Sequence, residues 1–154
     1  MERIESLDDF LKTSWNHLFR AAHTRKGDFQ KGTLATVNEE QRVSMRIVVL
    51  RKAAPEHRQL FFFTYERSPK VREMKLNPSV SWLFWDDSRK LQIRMRGKVT
   101  FHHKDDHAKT YWDKLPVSAR KNYASASPPS SHAEKDTEGL PEGCVAQIVP
   151  PDKE

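Results

Sequence analysis

A chain of 154 residues suffices for one domain that buries about two thirds of the surface its unfolded form exposes. Lys and Arg outnumber Asp and Glu by 27 to 21, a net charge of +6, yet no block of five or more like charges occurs, so the excess reads as a mildly basic, solvated surface. The single cysteine, Cys144, excludes an internal disulfide and a thiolate zinc cluster and fits a reducing, cytoplasmic compartment. The polar, acidic N-terminus does not read as a signal peptide, and no run of about eighteen apolar residues offers a membrane span.

Ser6 precedes "LDDFLKTSWNHLFRAAHTR", in which Leu7, Phe10, Leu11, Ser14, Trp15, Leu18 and Phe19 recur at helical spacing, with Asp8 and Asp9 in the first turn. A helix from Leu7 to about His23 follows. "KGTLATVN" reads as a strand, "EEQ" as a hairpin tip and "RVSMRIVVLRKA" as the returning strand, whose continuous run Ile47 to Leu50 predicts a central position with both faces covered. "QLFFFTY" is the next strand. In "SPKVREMKLNP" Ser68 is the expected N-cap, Pro69 suits the first helical position and Pro78 forbids continuation.

"SVSWLFWD" and "KLQIRMRGKVTFHH" form a further strand pair across "DSR". In the second, Leu91, Ile93, Met95 and Val99 point one way and Gln92, Arg94, Arg96 and Lys98 the other, predicting one core face and one basic face. "KDDHAKTYWDKL" and "PVSARKNYAS" are helical segments separated at Pro116. The stretch 125–142 is rich in Ser, Pro and charge and reads as a surface loop or disordered segment, and 143–154 supplies a last strand and a tail. Strands with helices before, between and after them predict an α+β domain over residues 1–124, built on an antiparallel sheet or barrel.

With five glycines and none in a phosphate-cradling loop, the chain lacks the P-loop and the dinucleotide fingerprint, so any phosphate must be held by side chains. Arg46 and Arg51 stand five residues apart on one strand, roughly 17 Å from each other, and cannot grip one phosphate together. Arg46 pairs more naturally with Thr64, Ser68 and Lys70, because a strand leading into a helix gathers hydroxyls and an ammonium at the helix N-terminus. An ordinary N-cap among solvent-facing basic residues explains the same pattern.

The joint pattern Arg-x-Val-x-Leu-basic, Phe-Thr-x(3)-Ser-x-Lys, Asn-Pro and Gln-x-Arg-x-x-Gly, from about Gly32 to Val99, resembles the FMN-binding split-barrel family that includes pyridoxamine 5′-phosphate oxidase. The resemblance implies an antiparallel split β-barrel, FMN as cofactor, and a homodimer with FMN between two subunits. It implies that Arg46 and Lys70 bind the FMN phosphate, that Arg46, Ile47, Val48, Val49 and Arg51 belong to a strand lying along the flavin, and that Phe63 and Thr64 touch it. Ser68 would start the phosphate helix, and Gln92 would bond the flavin from a neighbouring strand. Tyr111 matches the family's substrate-binding Tyr, with Arg120 as a candidate second substrate contact. The chain departs from the oxidases at Arg51 (Lys there), Phe63 (Tyr), Pro69 (Arg), Leu115 (Arg) and Ala119 (Ser), and it stops at Glu154, before the family's late Trp, Arg and His. These departures argue against pyridoxamine or pyridoxine phosphate as substrate.

The expected function is thus FMN binding with flavin-dependent oxidoreduction of an unidentified small molecule, and no catalytic side chain is assigned. The alternatives are a non-catalytic flavin carrier or sensor, and a nucleic-acid module using the basic face from Gln92 to Lys98. His102, His103 and His107 beside Asp105 and Asp106 have the spacing of metal ligands, but the acids suit a helix start, and no metal is expected. Trp82, Phe84, Trp85 and Phe101 read as barrel core or dimer interface. Cys144 has no base beside it and is not expected to be a nucleophile.

Overall fold

The structure, a computed structural model, describes residues 5–120 and the strand 143–149, in which only the Ile148 side chain is described. The continuation of the helical segment past Arg120, the Ser- and Pro-rich stretch 125–142 and the tail after residue 149 lie outside the described residues. Helix α1 (Leu7–Thr24) begins where Ser6 accepts the Asp9 amide at 3.1 Å and ends at Arg25, whose φ of 55° terminates the helix in the left-handed region. Its buried stripe, Trp15, Leu18, Ala21 and Ala22, packs against the sheet.

Seven strands follow: β1 (Lys31–Val37), β2 (Val43–Val49), β3 (Lys52–Ala54), β4 (Gln59–Tyr65), β5 (Ser79–Asp86), β6 (Leu91–His102) and β7 (Gly143–Val149). Helix α2 (Pro69–Leu76) separates β4 from β5, and α3 (Asp106–Asp113) and α4 (Val117–Arg120) follow β6. All neighbours pair antiparallel in the order β2-β1-β5-β6-β7-β4-β3. β2 and β3 lie at opposite ends of that order yet are joined by only Leu50 and Arg51, so their ends stand within about 11 Å, three Cα–Cα steps. The sheet must curl until its edges approach, and the result is a barrel. The link is pinned on both sides: the Leu50 amide donates to the Gln30 carbonyl at 2.7 Å and the Arg51 amide to the Phe61 carbonyl at 2.9 Å.

Two expectations need correction. The stretch expected as one strand breaks at Leu50 and Arg51 into β2 and β3. β2 is an edge strand, not a central one: Val43, Met45 and Ile47 are 65%, 69% and 69% exposed, and only Val48 is buried. An apolar run shows only that both faces prefer cover; it does not say that the chain's own core supplies it. The expected last strand is present as β7, and it lies inside the sheet between β6 and β4, where Ile148 joins the core.

The barrel interior is aromatic. Phe62 meets Trp82 edge-on, with centroids 5.5 Å apart, and Trp82 meets Phe84 at 4.8 Å; all three are at most 1% exposed. β6 alternates as expected, with Gln92, Arg94, Arg96 and Lys98 exposed. Outward residues line up across the sheet in rows, Ile47–Thr33–Leu83–Arg94 and Met45–Ala35–Ser81–Arg96, so an apolar field borders a basic one. Trp85, expected in the core or an interface, is 46% exposed on that outer face. A second, smaller cluster of Ala54, Phe61 and Ala108, with Phe63 and Tyr111 against it, fixes α3 on the outside of β3 and β4.

Two close fits yield tests. A Cβ on Gly32 would stand 2.6 Å from Trp82 Nε1 and 2.7 Å from the Leu83 carbonyl oxygen, and the backbone cannot retreat without breaking the β1–β5 pairing. Gly32→Ala is expected to cost about 1–3 kcal/mol in urea unfolding. At the β5–β6 turn Asp86 is 1% exposed and accepts bonds from the Ser88 hydroxyl at 2.6 Å, the Arg89 amide at 2.9 Å and the Arg89 guanidinium. Burial raises its pKa, but those bonds and the Arg89 charge outweigh burial and bring it down to about 2. A carboxyl depressed in the folded state stabilises above its unfolded value of 3.8, and that stabilisation is lost as pH falls toward 2. The melting temperature should therefore drop between about pH 4 and pH 2, and Asp86→Asn should flatten the drop while costing about 1–3 kcal/mol at neutral pH.

Candidate functional site

The turn from β4 into α2 gathers the first group of site residues. Thr64 and Ser68 are 3% and 2% exposed, and Lys70 Nζ donates to their hydroxyl oxygens at 3.1 and 2.5 Å. Ser68 occupies the N-cap position, but its hydroxyl accepts from Lys70 instead of capping an amide, which corrects the expected side-chain cap. Pro69 at the start of α2 carries no N–H, and the first turn holds no acid. The positive end of the helix therefore coincides with an ammonium and two buried hydroxyls. An anion that accepts several hydrogen bonds, such as a phosphomonoester, fits this donor set.

Arg46 does not meet that trio directly. It points inward from β2, where Nη1 donates to the Thr36 hydroxyl at 2.5 Å and the Ser44 carbonyl at 3.2 Å, and Nη2 to Glu73 Oε2 at 2.8 Å. The expected partnership of Arg46 with Thr64, Ser68 and Lys70 is thus replaced by a clasp on Glu73, one helical turn beyond Lys70. Burial raises the pKa of Glu73, but bonds from Thr36 and Arg46 outweigh it and hold the carboxyl below its ordinary value. Reasoning from sequence missed Glu73. The available signal was an acid three residues after Lys70, between the buried Val71 and Met74.

A second group lies on the outer side of β3 and β4. Phe63, adjacent to Thr64, faces the other way: the Arg51 guanidinium sits 5.9 Å above its ring, and Tyr111 packs 5.9 Å from it. Lys52 Nζ donates to the Tyr111 hydroxyl at 2.8 Å and lies over the Phe61 ring at 5.0 Å. Lys52 was not singled out in the sequence, although it follows Arg51 directly. An open cleft of about 330 Å³ adjoins Arg51 and Lys52, bounded by Phe19, His23 and Arg25. Arg120, the other substrate candidate, bonds back to the Leu115 and Asp113 carbonyls at 3.0 and 3.1 Å and covers Trp112 at 5.6 Å. Its guanidinium closes the C-terminal end of α3, the helix before its own. Leu115 is buried in the core.

Gln92 belongs to neither group. It is exposed on β6 opposite Trp85, and among the described residues no hydrogen bond ties it to either cluster. Ile47 and Val49 lie on β2 with Val48 between them, and among the described residues β2 pairs only with β1, on one side. Its other backbone edge can therefore accept a ligand, which a central strand could not do. Asp105 caps α3 through the Ala108 amide at 2.7 Å and takes His102 Nδ1 at 2.9 Å; the amide and His102 together hold its carboxyl below the ordinary range. Among the described residues no three His, Cys, Asp or Glu side chains form a metal-holding group, and no helix is long and apolar enough to cross a membrane.

Comparison with known proteins gives this geometry a context. The family model described as pyridoxamine 5′-phosphate oxidase, FMN-binding domain, matches residues 12–103. A pyridoxine/pyridoxamine 5′-phosphate oxidase of Burkholderia mallei is 36% identical over 88 residues, which is 57% of this chain and 40% of that protein. The chain therefore spans less than half the length of that relative. Among solved structures, a pyridoxamine 5′-phosphate oxidase-related, FMN binding protein of Nostoc punctiforme has a TM-score of 0.73 at 22% identity, over 90% of this chain and 79% of that one. PhzG from Burkholderia lata 383, in complex with tetrahydrophenazine-1-carboxylic acid, has a TM-score of 0.67 at 17% identity, over 92% and 75%. At those identities the structural likenesses establish the split-barrel fold. The family model spans more than half of the sequence, and the chain belongs to the pyridoxamine 5′-phosphate oxidase family through its FMN-binding domain.

Proposed function

We propose that the chain is a flavin-dependent oxidoreductase that works as a homodimer, with FMN held between two copies and a small anionic molecule as substrate. The observation that carries this reading is the placement of Lys70 and the buried Thr64 and Ser68 hydroxyls at the start of α2, where no acid stands in the first turn. FMN, when bound, supplies the two-electron redox chemistry, and the protein supplies position and electrostatics. Lys70 would neutralise the phosphate of bound FMN, Thr64 and Ser68 would bond its oxygens, and the outer backbone edge of Arg46 to Val49 would be available to the flavin. Arg51, Lys52 and Tyr111 form the anion-accepting wall beside Phe63, with Lys52 pointing a proton at the Tyr111 oxygen so that the phenol proton is free to face a substrate. Arg120, already bonded to the carbonyls at the end of α3, is left out of this wall.

Two features support the dimer. Gln92 stands apart from the Lys70 cluster, so one copy does not assemble the whole residue set that the family uses. The exposed Val43, Met45 and Ile47, with Leu83 and Trp85, make an apolar sheet face that a second copy would cover. A reducing cytosol suits a chain with one cysteine.

Lys70→Ala removes one charge-assisted contact, and FMN affinity measured by flavin fluorescence quenching should fall by about 1.5–3 kcal/mol, or one to two decades. Sedimentation of the FMN-loaded protein should give a dimer of two 18.0 kDa chains, and a monomer with full FMN affinity would refute the shared site. Turnover of an anionic reductant by the loaded dimer supports the enzyme; tight FMN binding without turnover across a panel of phosphorylated and carboxylated reductants points instead to a carrier or sensor.

A further inference from the structure

Glu73 is an acid beside a site that suits an anion, and its charge opposes the ligand. Its carboxylate, 13% exposed, accepts from the Thr36 hydroxyl at 2.5 Å and from Arg46 Nη2 at 2.8 Å, and Arg46 is 20% exposed. A half-buried ion pair contributes little net stability, because desolvation offsets much of the attraction. What this pair supplies is orientation. A guanidinium has five N–H donors; Thr36, Ser44 and Glu73 engage three of Arg46's, two on Nη1 and one on Nη2. Among the described residues, one Nη2 proton and the Nε proton have no acceptor. Glu73 and Lys70, three residues apart on α2, share a face of the helix, so the clasp brings Arg46 alongside the Lys70 side of that helix.

We propose that Glu73 is the positioning residue of the cofactor's phosphate site: by clamping Arg46 between β1 and α2 it aims the two remaining guanidinium protons at the phosphate held by Lys70. This rests on the reading that FMN binds through that phosphate. Without the clamp Arg46 recovers the rotamer freedom of a long side chain and must be ordered again on binding, which weakens the contact. The effect belongs to the phosphate alone, so riboflavin, which lacks it, should not feel it.

The test compares FMN and riboflavin affinities across variants of Glu73, Arg46 and Lys70. Glu73→Ala should lower FMN affinity about tenfold and leave riboflavin affinity unchanged. Glu73→Gln keeps an acceptor for Arg46 and removes the opposing charge, so it should bind FMN at least as well as the native chain. Glu73→Asp keeps the charge but falls one methylene short, and it should behave like Glu73→Ala; it also serves if the alanine variant does not fold. Arg46→Ala should lower FMN affinity, and adding Glu73→Ala to it should cost nothing further. Equal loss of FMN and riboflavin affinity, with no rescue by Gln, would show that Glu73 merely holds α2 in place and would overturn the proposal. If Arg46→Ala and Lys70→Ala shift only FMN while Glu73→Ala does not, the Glu73 inference alone fails. If none of them changes the ratio, the phosphate reading itself fails.

Discussion

The short link between β2 and β3 constrains everything else in the molecule. Two strands at opposite ends of a seven-stranded order, joined through Leu50 and Arg51, force the sheet to close on itself. Closure brings β4 and the helix that follows it over the mouth formed by β1 and β2. It is why Glu73, 27 residues after Arg46 and 37 after Thr36, can touch both. Among the described residues it also leaves the outer backbone edge of β2 without a strand partner, since the curl brings the edges near each other without pairing them. The sequence around Leu50 thus sets both the barrel and the groove beside it.

Electrostatics then decides what the groove can hold. Buried hydroxyls are costly unless bonded, at about 1–3 kcal/mol each, and Lys70 satisfies both Thr64 and Ser68. That arrangement brings a charged donor to the start of a helix whose first turn carries no acid. The acid that does occur, Glu73, is one turn later and is committed to Arg46 and Thr36. On the far side of β4 the pattern repeats with different chemistry: Arg51 and Lys52 stand against aromatic faces and the Tyr111 hydroxyl. Because Phe63 and Thr64 are neighbours on one strand, the pleat itself places the two cationic groups on opposite sides of it.

Much of this could be read in the residues. α1 announces itself through Ser6, its first-turn acids and its apolar spacing; β6 through strict alternation; and the β4–α2 turn through Thr64, Ser68 and Pro69. The position of β2 could not be read, because Ile47 to Leu50 looks the same whether its cover comes from this chain or from another. The insertion of β7 between β6 and β4 is a pairing of residues far apart in the chain, for which periodicity holds no signal. Arg46's true partner was hidden for the same reason: only closure of the barrel reveals which acid it meets. Arg120 is a candidate substrate contact as a stand-in for the basic residue that Leu115 replaces, whereas its guanidinium bonds the Asp113 and Leu115 carbonyls at the end of the preceding helix.

The central claim is that the start of α2 binds the phosphate of FMN. The most direct measurement is the ratio of FMN to riboflavin affinity of the unmodified chain, by titration of each flavin under identical conditions. Two charge-assisted contacts to the phosphate, at about 1.5–3 kcal/mol each, predict a preference for FMN of about a hundredfold or more. Equal affinity for the two flavins would contradict the account, because nothing else in FMN distinguishes it from riboflavin.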